Sequence, residues 1–325
     1  MLFLLALACR HAPPADPIDW SGSSREALID ACDGRQPGAC AALAQNLDRS
    51  GQPERGFQLA LMACREGDEY ACYQAALIPR GAPQVAQPTE RMEVDERLCE
   101  LGLSYACINR ARAGDDAQTW WKKGCDNQDR FACGVADGSY PAQAAPMEVP
   151  AEFQDQLDAA GLVFEPPPGF VAISPTENPD FGWDFGVRAN NGSVEVRYQV
   201  NDLASWIEKK AECDAKEGCM MAEPNRLGES FAMVSALNMA YGEPSGPSNF
   251  PVPPVLYEFN ADWGQIYVFA PRPTFSTEYE KGLLIALHRD DVGDARVVML
   301  VNGDELDTAW YAAFHSLRFA DEHHP

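Results

Sequence analysis

Ala63-Cys64-Arg65-Glu66-Gly67-Asp68-Glu69-Tyr70-Ala71-Cys72 sets two cysteines eight positions apart, an alanine before each and a Gly-Asp break between them. Upstream, Glu54 to Glu66 places Phe57, Leu59, Leu61 and Met62 on a helix; Gly67-Asp68 ends it, and Tyr70 to Leu77 resumes. One cysteine then falls in the last turn of a helix and the other in the first turn of the next, where a disulfide pins the corner. The same spacing recurs at Cys32/Cys40, Cys99/Cys107 and Cys125/Cys133, and the residue before the second cysteine is an alanine each time: Ala39, Ala71, Ala106, Ala132. The first cysteines of successive pairs lie 32, 35 and 26 residues apart. Self-similarity at a period in the thirties marks a helical solenoid of stapled αα units.

The chain has 11 cysteines. Setting Cys9 aside, ten fall into five local pairs, the fifth being Cys213/Cys219, a tighter loop outside the repeat; an even count suits a disulfide framework. Structural zinc pairs sit two to four residues apart, and the chain has no histidine between residues 12 and 287, so neither metal nor cofactor is expected. Disulfides imply an oxidising compartment.

The amino terminus, Met1-Leu2-Phe3-Leu4-Leu5-Ala6-Leu7-Ala8-Cys9, resembles the end of a bacterial lipoprotein signal peptide, with Cys9 as the lipidated residue. No basic residue precedes the run, which points to a start upstream or a misassigned start codon. The run is too short to span a bilayer. Residues 10–21, with Pro13, Pro14 and Pro17, read as a tether. The expected location is the bacterial cell envelope, as a periplasm-facing or outer-membrane lipoprotein held by its lipid anchor only, or secreted if Cys9 is not lipidated.

On the four cysteine pairs, residues 22–138 resemble Sel-one-like repeats, relatives of the tetratricopeptide repeats, in the cysteine-rich Hcp-type branch of secreted bacterial proteins. The short third spacing and the Pro79 to Pro88 insertion depart from a regular period. The resemblance implies a protein-binding scaffold, and some cysteine-rich relatives are described as penicillin-binding or weakly β-lactam-hydrolysing. No Ser-x-x-Lys occurs in the array to carry that chemistry. Trp120 and Trp121 point about 100° apart on a helix, so one is expected in the core and the other on a surface as a partner-binding anchor or a lid against the next domain.

Residues 139–152, with Pro141, Pro146 and Pro150, read as a linker, after which the cysteine rhythm stops. Leu162-Val163-Phe164 and Phe170 to Ile173 read as short extended pieces around a turn, and Val194, Val196, Tyr198 and Val200 alternate as a half-buried strand. Leu203 to Ala211 and Leu227 to Tyr241 read as helices, the second carrying Phe231, Val234, Leu237 and Met239. Val255 to Phe259 and Gln265 to Ala270 read as strands, and Leu283 to His288 with Arg296 to Val301 as a hairpin. Asp304 to Ser316 reads as a closing helix before a last strand, Leu317-Arg318-Phe319. Such an order suggests an α+β domain at 153–320, an antiparallel sheet covered by helices, with a tail at 321–325. Phe164 to Phe170 and the closing helix and strand resemble PsbP-like or DcrB-like domains, which are α/β/α sandwiches; this implies no activity and transfers no residue. Most of Phe181, Trp183, Phe185, Tyr257, Trp263, Tyr267 and Phe269 are expected in the core, with an exposed subset as a ligand patch.

His288 near Asp290 and Asp291, and His315 late in the closing helix, read as structural histidines, since no nucleophile or pocket accompanies them. Asp290, Asp291 and Asp294 lack calcium-loop spacing. No catalytic residue is assigned. The net charge is −24, and residues 141–325 hold 11 of the 25 basic and 29 of the 49 acidic residues, a balance of −18. Such a surface repels phosphate backbones, so nucleic acid is not an expected partner. The expected function is non-catalytic: binding another protein or peptide through the array. The alternatives are a binder of penicillin or peptidoglycan fragments, or a weak β-lactam hydrolase, and a purely structural envelope component.

Overall fold

The computed structural model describes residues 20–320 apart from 21, 115, 217 and 304–306. Cys9, the expected signal segment 1–9, most of the expected tether and the tail with His323 and His324 lie outside the described residues. The chain divides into two compact units between Asp137 and Gly138. Among the described residues no helix is long and apolar enough to cross a membrane.

The first unit is helical: α1 Arg25–Asp33, α2 Ala39–Arg49, α3 Pro53–Arg65, α4 Glu69–Gly81, α5 Pro88–Glu100, α6 Ser104–Arg112, α7 Ala117–Asp126 and α8 Arg130–Asp137. Each helix packs on the next, and α2 also packs on α4, α3 on α5 and α5 on α7. Four disulfides join Cys32 to Cys40, Cys64 to Cys72, Cys99 to Cys107 and Cys125 to Cys133, with Cα atoms 4.6, 4.5, 4.8 and 4.4 Å apart.

One of the second cysteines, Cys107, reaches beyond its own corner. Cys40 Sγ lies 3.6 Å from the Cys32 carbonyl oxygen, and Cys107 Sγ 3.6 Å from that of Leu103. A disulfide sulfur has no S–H to donate, so these are packing contacts across the corner and not hydrogen bonds. Cys107 also reaches outside its pair: its Sγ accepts from Asn127 Nδ2 at 3.3 Å, and the same amide donates to the Cys99 carbonyl at 2.9 Å. Asn127 caps the end of α7, so the third disulfide is tied to the fourth corner, 20 residues on in the chain. The spacing of cysteines cannot show this, because it depends on how one helix pair packs on the next.

The corners share one backbone geometry. Three residues after each first cysteine stand Arg35, Gly67, Gly102 and Gln128, all left-handed, with φ of 54°, 96°, 101° and 69°. The N–H of each donates to the carbonyl of its cysteine. The following N–H donates to the carbonyl of Ala31, Ala63, Leu98 or Gly124, one residue before the cysteine, at 3.0–3.1 Å. This is the paired hydrogen bonding of a Schellman helix stop. Asp68 and Asp129 then begin the next helix by accepting from the N–H of Ala71 and Ala132. The alanines before the second cysteines are fully buried. A Cβ added at Gly124 would lie 2.9 Å from the Cβ of Ala132, so the fourth corner leaves room only for small side chains.

A left-handed conformation costs a non-glycine residue about 1 kcal/mol. No atom would touch a Cβ at Gly67, so Gly67→Ala should lose about 1 kcal/mol through its backbone alone. Gln128→Gly should gain about 0.5 kcal/mol. Urea denaturation of the two variants checks this; a loss at Gln128→Gly would show that its side-chain contacts outweigh its backbone cost.

The second unit opens with α9 Ala151–Ala159, which takes the last two residues of the expected linker. Its strands are β1 Leu162–Phe164, β2 Phe170–Ile173, β3 Phe185–Ala189, β4 Val194–Asp202, β5 Ser245–Asn249, β6 Trp263–Phe269, β7 Lys281–Arg289, β8 Gly293–Val301 and β9 Leu317–Phe319. Its other helices are α10 Ala204–Asp214, α11 Leu227–Met239, α12 Val252–Phe259 and α13 Thr308–Phe314. Seven strands form one antiparallel sheet in the order β2-β3-β4-β8-β7-β6-β5, while β1 pairs with β9. Helix α11 lies against β6 and β7, where Ala232, Ala236 and Met239 meet Leu284, Ala286, Val298 and Leu300. The alternate residues of β4, Val194, Val196, Tyr198 and Val200, face the other way. There α9 and α13 contact β4, α12 contacts β6, and Phe153 stacks on Phe185 at 4.9 Å. The Cys213–Cys219 disulfide closes the loop after α10.

Two expectations for this unit are corrected, and a third element departs from its apparent pattern. Val255 to Phe259 lies in helix α12, not a strand: proline occupies its first turn, where a missing N–H costs nothing, and Asn260 ends it at φ 52°. Strand β4 is central rather than half-buried, because β3 and β8 flank it and its polar residues Glu195 and Arg197 are themselves buried. Of the four apolar residues that mark α11 in the sequence, only Met239 is buried; Phe231, Val234 and Leu237 face solvent.

Candidate functional site

On the face of the sheet that carries α11, the strands place polar residues in register near one end. Trp263 of β6 pairs with His288 of β7, and His288 pairs with Asp294 of β8. His288 is 0% exposed. Its Nδ1 lies 2.6 Å from Asp294 Oδ1 and its Nε2 3.0 Å from Asp290 Oδ1. The Trp263 ring stacks on the imidazole at 5.1 Å. A neutral imidazole carries a single N–H, and a carboxylate accepts but does not donate, so two carboxylates on one ring are both satisfied only by the imidazolium. Burial pulls the His288 pKa down, but the hydrogen bond and charge of Asp294, with those of Asp290, outweigh it and hold the pKa above the ordinary histidine value.

Gly228, in the first turn of α11, lets the helix close on this pair. A Cβ there would sit 2.5 Å from Asp294 Oδ1 and 3.0 Å from the Trp263 ring. Two residues past Asp294, Arg296 donates from Nη1 to Ser235 Oγ at 3.0 Å and lies 5.6 Å from the Phe231 ring centroid, while its buried Nε has no partner among the described residues. Burial holds the Arg296 guanidinium below its ordinary pKa, against the charges of Asp294 and Asp184. Gly228, Phe231, Trp263, Asp294 and Arg296 line a shallow crevice too tight to admit a water molecule. Small-molecule sites run from about 300 Å³ upward, and among the described residues no Ser, Thr or Cys lines this crevice. The His288 cluster is arranged to hold a charge in place.

A second buried group lies further across the same face. Glu195 accepts from Arg188 and from Arg197 Nε at 2.8 Å, and Arg197 stands over the rings of Phe275 and Trp183 at 4.7 and 5.3 Å. The sequence reading missed this group, since an alternating strand is read with its polar residues in water.

The residues singled out in the sequence fall as follows. Asp290 and Asp294 turn to His288 and Asp291 to Asn225, so the three do not converge on a common point. Among the described residues no group of three or more metal-ligating side chains forms. His315 bonds Glu258 at 2.7 Å. Trp120 and Trp121 are both buried, contrary to the expectation that adjacent positions divide between core and surface. Trp121 meets Phe131 edge-on at 5.5 Å, while the Trp120 ring is covered by Arg110 at 5.0 Å and Lys123 at 4.2 Å. Long basic side chains can roof a ring that no apolar neighbour reaches. Of the aromatics expected in the sheet domain, Trp263 is partly buried and the others are buried, so none is an exposed patch. Exposed apolar residues of the sheet unit cluster instead on α11, at Phe231, Met233, Val234 and Leu237, with Val171, Trp206, Met220 and Val252 exposed singly elsewhere. The signal for this is Gly228, Ala232 and Ala236 at four-residue steps, which mark the side that packs closely.

Comparison with protein-family models, with curated proteins and with solved structures returns no match.

Proposed function

We propose that this chain is a non-catalytic cell-envelope lipoprotein, anchored through Cys9, that binds another protein through its helical unit. In this reading the helix pairs stack as a solenoid of the Sel-one-like kind, and the sheet unit is an accessory α/β/α module of the PsbP-like kind. The observation that carries the reading is the shared corner: four copies of one helix stop, one disulfide spacing and one buried alanine. Stacked pairs of this sort bury a core between neighbours and leave an extended outer surface suited to a protein or peptide.

Photo-crosslinkers at the exposed array positions Arg35 and Met62, and at Val171 of the sheet unit, test it in the full chain. One protein captured from the array positions, in oxidised but not in reduced chain, is the expected outcome. Absence of capture from the array, together with covalent labelling by a fluorescent penicillin, would replace this reading with the hydrolase alternative. Mass analysis of the mature amino terminus checks the anchor, which requires acyl chains on Cys9.

A further inference from the structure

Helix α11 carries apolar residues on its outer side as well as its inner one, beside the exposed polar Glu229, Ser230 and Asn238. Gly228, Ala232 and Ala236 seat it on the sheet, while Phe231, Met233, Val234, Leu237 and, just past its end, Tyr241 are between 37% and 75% exposed. Met233 and Leu237 stand one four-residue step apart on the helix, with Phe231 and Val234 beside them, so their side chains form a strip. An exposed apolar strip of this kind marks an interaction surface.

The strip has an acidic rim. Glu229 lies in the first turn of α11, and Asp291 at the β7–β8 turn is tied to Asn225 just before the helix by two hydrogen bonds of 2.9 and 3.0 Å. Glu243 stands two residues past Tyr241, while Asp290 is already engaged by His288 and the exposed Arg226, at the N-cap of α11, is a cation on the same rim. At the other end the Arg272 guanidinium donates to the Leu237 and Ala240 carbonyls and to that extent is already engaged. The balance of −18 over residues 141–325 extends this field well beyond the rim.

We propose that this strip docks a basic amphipathic helix of another protein. The apolar side of such a helix covers the strip, and its basic flanks meet the rim. The 13 residues of α11 give a platform roughly 20 Å long and one helix wide. A second copy of the chain would bring −24 against −24, and one helix face offers less than the roughly 800 Å² per partner that a stable dimer needs. An anionic bilayer is repelled by the same charge. The surface belongs to the sheet unit and stands whether or not the array binds a protein.

Fluorescence anisotropy with the full chain tests the proposal. The probe is a labelled amphipathic helical peptide of leucine and lysine, compared with its glutamate-for-lysine and serine-for-leucine analogues. The leucine-lysine peptide should bind, more weakly as salt rises, and both analogues should fail. V234E/L237E should weaken binding about tenfold or more, as loss of about 1.4 kcal/mol implies. Tyr241→Ser, at a position exposed enough to leave folding intact, should weaken it several-fold, and Val171→Glu on β2 should leave it unchanged. Equal binding of the serine analogue, or binding that survives both strip variants, overturns the proposal. So does co-sedimentation with phosphatidylglycerol vesicles, or self-association, that V234E/L237E abolishes, since the strip would then belong to a membrane or to a second copy.

Discussion

Full reduction should unfold the helical unit and leave the sheet unit folded. Each of the four staples joins cysteines eight residues apart, and closing so short a loop removes about 2–3 kcal/mol of freedom from the unfolded chain. Four together amount to roughly 10 kcal/mol, which is the size of a whole domain's stability. The helices are short, eight to thirteen residues, and such helices are marginal alone. The sheet unit has one disulfide, between Cys213 and Cys219, closing a loop at the end of α10 away from the strands. Its core rests instead on β4, β7 and β8, whose apolar residues are buried on both faces. Hydrogen exchange after dithiothreitol treatment reads the two units separately. Amides of α1–α8 should lose protection while those of β4, β7 and β8 keep it. Retained protection in α3 and α4 would show that packing, not the staples, holds the array. The double variant C64A/C72A should lower unfolding free energy by about 2–3 kcal/mol through the same cause.

His288→Ala should cost about 3–5 kcal/mol, because it leaves the buried Asp294 carboxylate without its partner. The double variant His288→Phe, Asp294→Leu should cost less than either single change, since removing both charges removes the uncompensated one. The pH dependence has a definite sign. The folded pKa of His288 is raised above that of the unfolded chain, where histidine titrates near 6.5. Below that value both states hold the proton and the contribution is fully present. As pH rises towards the folded pKa, the unfolded state loses its proton first and stability falls. The charged groups facing the ring are Asp294 and Asp290, with Arg296 two residues along β8 and Asp262 accepting from the Asp290 N–H. Urea denaturation from pH 6 to 9 should therefore show a decline in the natural chain that the double variant lacks. Equal slopes would mean that His288 is neutral in the folded protein.

The corners of the helical unit were legible because every determinant is local. Helix, stop, left-handed residue, cap and second cysteine all lie within about ten positions, so a fixed spacing repeated four times carries them. Even there, Arg35 and Gln128 show that the left-handed position is required by the corner and not announced by a glycine. The bond from Asn127 to Cys107 likewise links two corners that the spacing treats as separate. The sheet unit was legible in its order of elements and less so in its burial. Glu195 and Arg197 look like the wet side of a strand, and only the pairing of β4 between β3 and β8, under Trp183 and Phe275, makes them a buried ion pair. Strands β3 and β5 escaped the reading, the second because Gly246 and Pro247 look like a loop. Proline is tolerated there because β5 is an edge strand.

Helix α11 divides the two kinds of information most plainly. Its sequence determines that a helix forms and that its residues are mostly apolar. Which side meets the sheet is a question of distance: the small residues Gly228, Ala232 and Ala236 allow the close approach, and the bulky ones are turned outward by default. The local sequence determined the stapled corners, their pairing and the change of architecture after Cys133, because these depend on bonds and torsions between near neighbours. The tertiary structure alone decided that His288 bridges two carboxylates, that both Trp120 and Trp121 are covered, and that an apolar strip is left facing solvent. Those depend on strands and helices far apart in the chain, whose contacts no local pattern encodes.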